Sequence, residues 1–371
     1  MAKIDKGATQ AAGDGIRPTA LIAFAVIVLI GIELGCQLAF RLKEHRWIVA
    51  ADPMAGQPLY TWHPYLVATP TPNVDRQVGW TRIRHNSMGF RGPEFDLKKK
   101  PGVRRIVTMG ASTTYCTGVS EGQTWPELLQ QELGSGYEVI NLGVPGYGTI
   151  ENLIQTALLI SDLSPDITTY YEGWSDIRSM HIKNLKPDYS NYHPQALYQA
   201  LAVEPPAPTG AVASLYYLRK FLGRSPVTDS RGIIHAEGDA DQLTDKIDPR
   251  ARNLYMRNLR SIIAVNRSMG IEPILIPQLL NYERLTADST YGWIPYIRDK
   301  DLKSGMAAYN EGMRTVAAEQ HVGFVGEVLQ APFGNDDFWD NGHFNEQGTL
   351  KFAEILARYI RAHDHPRKTH G

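Results

Sequence analysis

The sequence predicts an α/β domain built on a parallel sheet of about five strands with helices on both faces, preceded by one N-terminal transmembrane helix. Three observations carry this. Short β-rich runs and helical runs alternate five times between residues 103 and 362, which is the pattern of a parallel sheet covered on both sides. Four of the strand-like runs end in small or polar turns, the place where such sheets put their ligands. Residues 19–40 form an apolar stretch of 22 residues, about 33 Å of helix at ~1.5 Å per residue and enough for a bilayer core of roughly 30 Å. The 38 Lys/Arg and 39 Asp/Glu leave a net charge of −1. The chain therefore lacks the basic field of a nucleic-acid binder and the high net charge of a disordered chain. Two cysteines exclude a disulfide scaffold and a zinc ribbon.

Residues 1–18 read as an N-terminal tail and 19–40 as a signal anchor. Ala20 to Ile32 carries no polar side chain, and Glu33 stands in the last third of the stretch. A carboxylate there is costly unless it reaches the interface or is neutralised. A cleaved signal peptide is the first alternative, but no A-x-A site follows the run. A lipoprotein signal ending at Leu34-Gly35-Cys36 is the second, with Glu33 standing where an aliphatic residue is expected. A buried helix of a globular domain is the third. Lys3, Lys6 and Arg17 precede the stretch, and Arg41, Lys43 and Arg46 follow it, so the positive-inside rule gives a tie. The expectation is a single-pass membrane protein whose soluble part is extracytoplasmic, periplasmic or extracellular. Cys36 and Cys116 lie too differently to pair.

Residues 41–102 read as an irregular, proline-rich approach segment that packs on the following domain. It holds Pro53, Pro58, Pro64, Pro70, Pro72 and Pro93, a loop at Asn86–Gly92, and a charged turn at Lys98–Gly102. The domain itself spans 103–362. Arg105–Met109 is its first strand. Thr124 opens a helix, with Glu127 completing a capping box. Tyr137–Leu142 is the second strand, and Ile150, Leu153, Ile154, Ala157 and Leu158 share a helical face. Ile167–Glu172 is the third strand. The stretch at about 178–250, with Pro205, Pro206 and Pro208, is too long for a loop and reads as an insertion, with a lid as one role open to it. Leu254–Met269 is helical and stopped by Gly270. Ile271–Ile276 is the fourth strand, Met306–Gln320 a helix, Val322–Val325 the fifth strand and Leu350–Ile360 the closing helix. Residues 363–371 read as a polar, solvated tail.

The strand ends supply the parts of nucleophilic acyl transfer. Ser112 follows the first strand between small residues, and a serine hydroxyl needs a base. His343 is the candidate base. Asp340, three residues earlier, fixes its tautomer. The N–H groups of Ser112 and Gly143 can face a developing oxyanion. Thr113 and Trp174 are candidate lining residues, Trp174 lining the site or covering it, and Asp176 orders its own turn. Cys116 reads as a packing residue. Gly143-x-x-Gly146-x-Gly148 lacks the spacing of a dinucleotide loop.

These residues resemble the SGNH, or GDSL-type, serine hydrolases over about residues 103–362, and the approach segment is similar to that of membrane-anchored bacterial members. Block one is Gly110-Ala111-Ser112, block two Asn141-Leu142-Gly143, block three Gly173-Trp174-Ser175-Asp176, and the last block Asp340-x-x-His343. Ser175 stands where the family carries an oxyanion-hole asparagine. The resemblance implies a flavodoxin-like three-layer sandwich, the SGNH hydrolase fold. It implies Ser112, His343 and Asp340 as catalytic residues and Ser112, Gly143 and Ser175 as the oxyanion hole. It implies an esterase or acylhydrolase working through an acyl-enzyme, with no metal or organic cofactor. The expected substrate is an acylated small molecule, glycan or lipid of the envelope, O-acetyl esters among them. The membrane is met through residues 19–40, and no nucleic-acid partner is expected. Two alternatives stand beside this: an O-acyltransferase to a sugar hydroxyl using the same serine, and an inactive glycan-binding domain. Residues 1–46 hold six Lys/Arg and four Asp/Glu, which leaves the remainder at −3. That balance favours a substrate recognised by shape and by its ester over an anionic polymer held by charge.

Overall fold

The computed structural model describes residues 18–44, 59–63, 65–181, 185–188, 212–221, 247–286 and 297–364. They fall into two compact units. The first joins α1 (Pro18–Glu44) to a helix from the insertion, Ala213–Phe221. The second holds everything else.

In the second unit, β5 (Arg104–Gly110), β6 (Tyr137–Asn141), β7 (Ile167–Glu172), β8 (Glu272–Pro277) and β9 (Gly323–Phe324) form one sheet. Its order is β6-β5-β7-β8-β9, and every pair is parallel. This is the flavodoxin-like arrangement, with a switch point beside the first strand of the sheet. The expected fifth strand, Val322–Val325, shrinks to Gly323–Phe324, and Pro277 ends the fourth. Successive side chains alternate between two cores, as the period of a strand requires. Val107, Met109, Tyr170 and Leu275 face a core shared with α4 (Thr149–Leu158), α8 (Pro249–Ser268) and α9 (Leu302–Gln320). Ile106, Ile167, Tyr171, Ile274 and Ile276 face a core shared with α3 (Trp125–Leu133) and α11 (Glu346–His363). Both faces are thereby covered, which explains why these strands read as apolar runs.

Helix ends follow the sequence cues in part. The Thr124 hydroxyl accepts from the Glu127 N–H at 3.4 Å. The Glu127 carboxylate, however, takes the Gly122 N–H and the Thr124 hydroxyl rather than the Thr124 N–H. Helix α11 starts earlier than expected because Asn345 caps it, accepting from the Gly348 N–H at 3.0 Å. Asp364 is tied to Arg104 and to the Tyr137 hydroxyl, so the sheet unit extends to that residue. Residues 365–371 lie outside the described ones.

The approach segment is more ordered than its prolines suggest. Two antiparallel ladders form: β1 (Tyr60–His63) with β2 (Val67–Pro70), and β3 (Asp75–Val78) with β4 (Thr81–Arg84). Leu59, Tyr60, Leu66, Ala68, Val74 and Ile83 build a third core with Tyr115, Val144 and Tyr147, at the end of the sheet where β5 and β6 terminate. Helix α6 (Trp174–Met180) ends just inside the expected insertion, and α8 starts at Pro249. Of the insertion between them, 182–184, 189–211 and 222–246 lie outside the described residues, as do 1–17 and 45–58.

Candidate active site

Ser112 begins α2 (Ser112–Tyr115), one residue after strand β5 ends. Gly110 makes the turn possible. Its φ is +152°, and a Cβ there would collide with the Thr114 hydroxyl and the Tyr171 carbonyl. The Ser112 hydroxyl lies 2.7 Å from His343 Nε2. His343 Nδ1 lies 2.7 Å from Asp340 Oδ2. The other carboxylate oxygen, Oδ1, accepts the N–H groups of Gly342 at 2.9 Å and His343 at 2.7 Å. With Nδ1–H donated to the carboxylate, Nε2 is left as acceptor for the serine proton. Burial pushes the Asp340 carboxyl up, but the His343 ring and the two backbone N–H groups outweigh it and hold Asp340 below the usual carboxylate range. The turn carrying the pair is braced from outside. Arg284 donates to the Trp339 carbonyl at 2.8 Å, and the Trp339 N–H donates to the His343 carbonyl at 3.0 Å.

The other expected site residues are placed less uniformly. Trp174 is buried, with its ring centroid 5.1 Å from that of His343. A Cβ on Gly342 would run into that indole, so Trp174 packs on the Asp340–His343 turn, its ring tilted 48° to the imidazole. Thr113 is buried and points away from solvent. Its carbonyl accepts from Trp125 Nε1 at 3.1 Å, and its hydroxyl has no partner. Ser175 is 8 % exposed in the first turn of α6. The N–H of Gly143 is donated to the Asn141 side-chain carbonyl at 2.9 Å, while Asn141 Nδ2 donates to the Thr114 carbonyl at 3.0 Å. The Ser112 N–H opens α2, where first-turn donors lack an intrahelical acceptor.

Asp176 is fully buried. Its Oδ1 accepts from the Thr149 N–H at 3.0 Å and the Thr149 hydroxyl at 2.6 Å, while Oδ2 has no hydrogen-bond partner. Burial pushes its carboxyl up to about 7. Glu172, at the end of β7, is also buried and accepts from Asn152. Burial, and then the nearby Asp176, drives its carboxyl well above the usual range. These two acids lie directly before and within the turn that carries Trp174 and Ser175.

Sequence reasoning missed the residues that anchor α2. Arg91 is buried and donates to the carbonyls of Tyr115 at 2.7 Å, Cys116 at 2.6 Å and Val119 at 2.5 Å, and it pairs with Glu121 at 3.0 Å. His85 donates from Nδ1 to the Thr71 carbonyl at 2.9 Å, and its Nε2 accepts from the Tyr115 hydroxyl at 2.7 Å. Burial holds the His85 ring neutral, lowering it to about 4. Cys116 is buried and takes the Trp125 N–H at 3.4 Å. Burial pushes its thiol up to about 12, so it packs and is no thiolate nucleophile. The only sequence sign of this support was the Asn86–Gly92 loop, which holds Arg91. A cavity of 490 Å³ lined by Arg91, Glu94, Gln130, Glu138 and Asn141 includes none of Ser112, Asp340 and His343. Among the described residues, no group of three or more His, Cys, Asp or Glu side chains is arranged to hold a metal.

No protein-family model and no curated protein matches the chain. Solved structures do. A lipase/acylhydrolase from Enterococcus faecalis is 16% identical, with 72% of this chain and 100% of that one covered and a TM-score of 0.41. A GDSL-like lipase from Bacteroides thetaiotaomicron is 16% identical, covering 72% and 93%, with a TM-score of 0.41. The acetylxylan esterase Axe2 from Geobacillus stearothermophilus is 15% identical, covering 71% and 96%, with a TM-score of 0.40. Likeness of this depth does not carry chemistry from one chain to another.

Proposed function

We propose that this protein is a membrane-anchored serine esterase acting on O-acyl, chiefly O-acetyl, esters of an envelope glycan. The observation that carries the reading is the unbroken Ser112–His343–Asp340 relay, with both of its hydrogen bonds at 2.7 Å. The Ser112 oxygen attacks the ester carbonyl as its proton passes to His343 Nε2. Asp340 accepts from Nδ1 and stabilises the imidazolium. The tetrahedral oxyanion is met by the Ser112 N–H, by Gly143 once its N–H swings from Asn141, and by the Ser175 hydroxyl. His343 returns the proton to the departing alkoxide. Water, deprotonated by the same ring, then releases the acid from the acyl-enzyme.

The exposed indoles beside the relay support a sugar on the leaving-group side. Trp339 precedes Asp340, is 41% exposed, and meets Trp80, 62% exposed, edge to face at 5.0 Å. Two partly exposed indoles offer a sugar ring an apolar surface with a polar rim, as amphipathic rings do at binding sites. The anchor is supported by the apolar stretch Pro18–Leu42, long enough to cross a membrane, and the soluble part is extracytoplasmic.

Turnover of p-nitrophenyl acetate, with and without sugar acceptors, tests the reading. The expected result is acetate release abolished in Ser112→Ala. Labelling by a fluorophosphonate that survives Ser112→Ala overturns it. Acetate passing to the sugar in preference to water makes the protein a transferase.

A further inference from the structure

The carboxylate of Glu33 lies inside the apolar part of α1, seven residues before Phe40, about 10 Å of helix at ~1.5 Å per residue. A charge at such depth is costly unless polar partners meet it. Here both of its oxygens are met. Oε1 accepts from the Ala213 N–H at 2.6 Å and from Gln37 Nε2 at 2.7 Å, and Oε2 accepts from the Ser214 N–H at 2.9 Å. Those two N–H groups belong to the first turn of α7 (Ala213–Phe221). They lack acceptors within their own helix and lie at the positive end of its dipole.

The docking has a face as well as a cap. From residue 18 to 42, Glu33, Cys36, Gln37 and Phe40 are the positions that are not fully exposed. Their spacing of three, one and three residues puts them on one side of the helix, and α7 packs against α1. The rest of α1 stays open. So do Leu215 at 54%, Leu218 at 50% and Phe221 at 87%, three residues apart along one arc of α7. Soluble surfaces rarely leave such apolar area uncovered.

We propose that residues 212–221 form a membrane-seated helix, capped by Glu33 of the anchor, whose Leu215–Leu218–Phe221 arc meets the acyl chains of the bilayer. The occupant follows from continuity. Helix α7 packs against α1, whose remaining surface is apolar and open, and whatever bonds to Glu33 shares its depth. The proposal rests on the reading of α1 as a retained span. It also makes the polar residues of that span intelligible, because Glu33 and Gln37 hold a second helix in place. A segment that interrupts the sheet unit between α6 and α8 is then fastened to the membrane.

The test uses full-length protein in phosphatidylethanolamine/phosphatidylglycerol vesicles, in a Cys36→Ala background. An environment-sensitive fluorophore is placed at Leu29→Cys or at Phe221→Cys. Doxyl-labelled lipid and aqueous iodide serve as quenchers. Both positions should be quenched at least twofold by doxyl lipid and little by iodide. Adding Glu33→Ala should halve the doxyl quenching at position 221 and leave position 29 unchanged. Glu33→Gln, which keeps one carbonyl acceptor, should lose less. If position 29 is quenched by doxyl lipid while position 221 answers only to iodide, the inference is wrong and the anchor stands. If position 221 answers to neither quencher, a second protein copy covers the arc and the inference is again wrong. If position 29 also escapes doxyl lipid, the anchor and the inference fall together. An unchanged signal at position 221 in Glu33→Ala removes the cap.

Discussion

The backbone N–H of Gly143 points into the side-chain carbonyl of Asn141, 2.9 Å away, and Asn141 in turn grips the Thr114 carbonyl two residues past Ser112. The second strand end is thus clamped to the helix that carries the nucleophile. Gly143 is held there sterically as well, since a Cβ would strike the Tyr115 nitrogen and the Thr114 backbone. Gly143→Ala should therefore destabilise by several kcal/mol through overpacking, about 1–3 for an added methyl group and more against backbone. Asn141→Ala should cost about 1–2 kcal/mol from buried groups left without partners. It should also lower kcat, because the Gly143 loop loses its tie to the Thr114 carbonyl of the helix that carries Ser112. Thermal unfolding and p-nitrophenyl acetate turnover check both. An Asn141→Ala variant with wild-type kcat would show that the clamp plays no part in the chemistry.

The relay makes a graded prediction. Ser112→Ala and His343→Ala should each lower kcat by at least about 10⁴-fold, because the relay residues act as a unit. Asp340→Asn should cost about as much by inverting the donor pattern at His343 Nδ1. Ser175→Ala removes one hydroxyl from the oxyanion site and should lower kcat by about tenfold, less than the 10²–10³ typical of a full amide donor. KM should move little in every case, since these groups act in the transition state. An unchanged kcat in Ser175→Ala would take its hydroxyl out of the oxyanion hole.

Arg91 links the approach segment to the nucleophile helix. It is buried, binds the Tyr115 and Cys116 carbonyls at the end of α2 and the Val119 carbonyl beyond it, and has Glu121 as its counter-charge. Arg91→Ala should destabilise by about 3–5 kcal/mol, the cost of breaking a buried pair and leaving its partner uncompensated. Arg91→Lys should recover only part of this, because one ammonium cannot reproduce the planar fork that reaches three acceptors. A drop in unfolding midpoint of under two degrees in Arg91→Ala would contradict the assignment.

The strand ends that carry Ser112, Gly143 and Trp174 were legible because each lies where a short apolar run meets glycine or a polar turn, whereas Asp340, expected just after the fifth strand, lies past the helix Glu327–Gln330 and the turn Asn335–Asp337. The supporting groups were not. Arg91 reaches carbonyls 24 to 28 residues away, and His85 meets Tyr115 across 30 residues; no local periodicity marks such pairs. Glu172 reads as the polar end of an apolar strand, yet burial with Asn152 takes it inside. The ladders of residues 60–84 are four-residue strands between prolines, too short for alternation to outweigh the breakers. Gly143 was read as an oxyanion donor from its place in the chain. Only the side-chain direction of Asn141 reveals that its N–H is already bonded.

Three buried groups should give the stability a readable pH dependence, with Glu172, also raised by burial, acting in the same direction as Asp176. Asp176 is raised to about 7 in the folded protein, chiefly by burial. The folded state then holds a proton that the unfolded chain releases near pH 4. Stability from this group is full below about pH 4 and is lost as pH rises through about 7. His85 has the opposite sign. Burial lowers it to about 4, so the unfolded chain takes up the proton first, near 6.5, and stability from this group is lost as pH falls from about 6.5 to 4. Asp176→Asn keeps the acceptor for Thr149 and should reduce the fall in unfolding midpoint between pH 4 and 7. His85→Gln should steepen it. Parallel midpoint curves for wild type and Asp176→Asn would show that the carboxyl is ionised in the folded protein.

The indole pair separates a glycan substrate from a small ester. Trp80 sits in the β3–β4 turn after Gly79, far in sequence from Trp339, yet the two partly exposed rings meet edge to face at 5.0 Å. Trp80 lies on a different segment from Ser112, His343 and Asp340, so its removal should spare the chemical step. Trp80→Ala should raise KM for an O-acetylated oligosaccharide about three- to tenfold, as the loss of one stacking face worth about 0.5–1.5 kcal/mol implies. It should leave kcat, and all constants for p-nitrophenyl acetate, within twofold. Trp339→Ala should do the same to KM but also lower kcat, because the Trp339 indole packs on Gly118 and so holds the turn whose backbone bonds to His343. Equal effects of Trp80→Ala on the oligosaccharide and on p-nitrophenyl acetate would mean that the pair stiffens the site and binds no sugar.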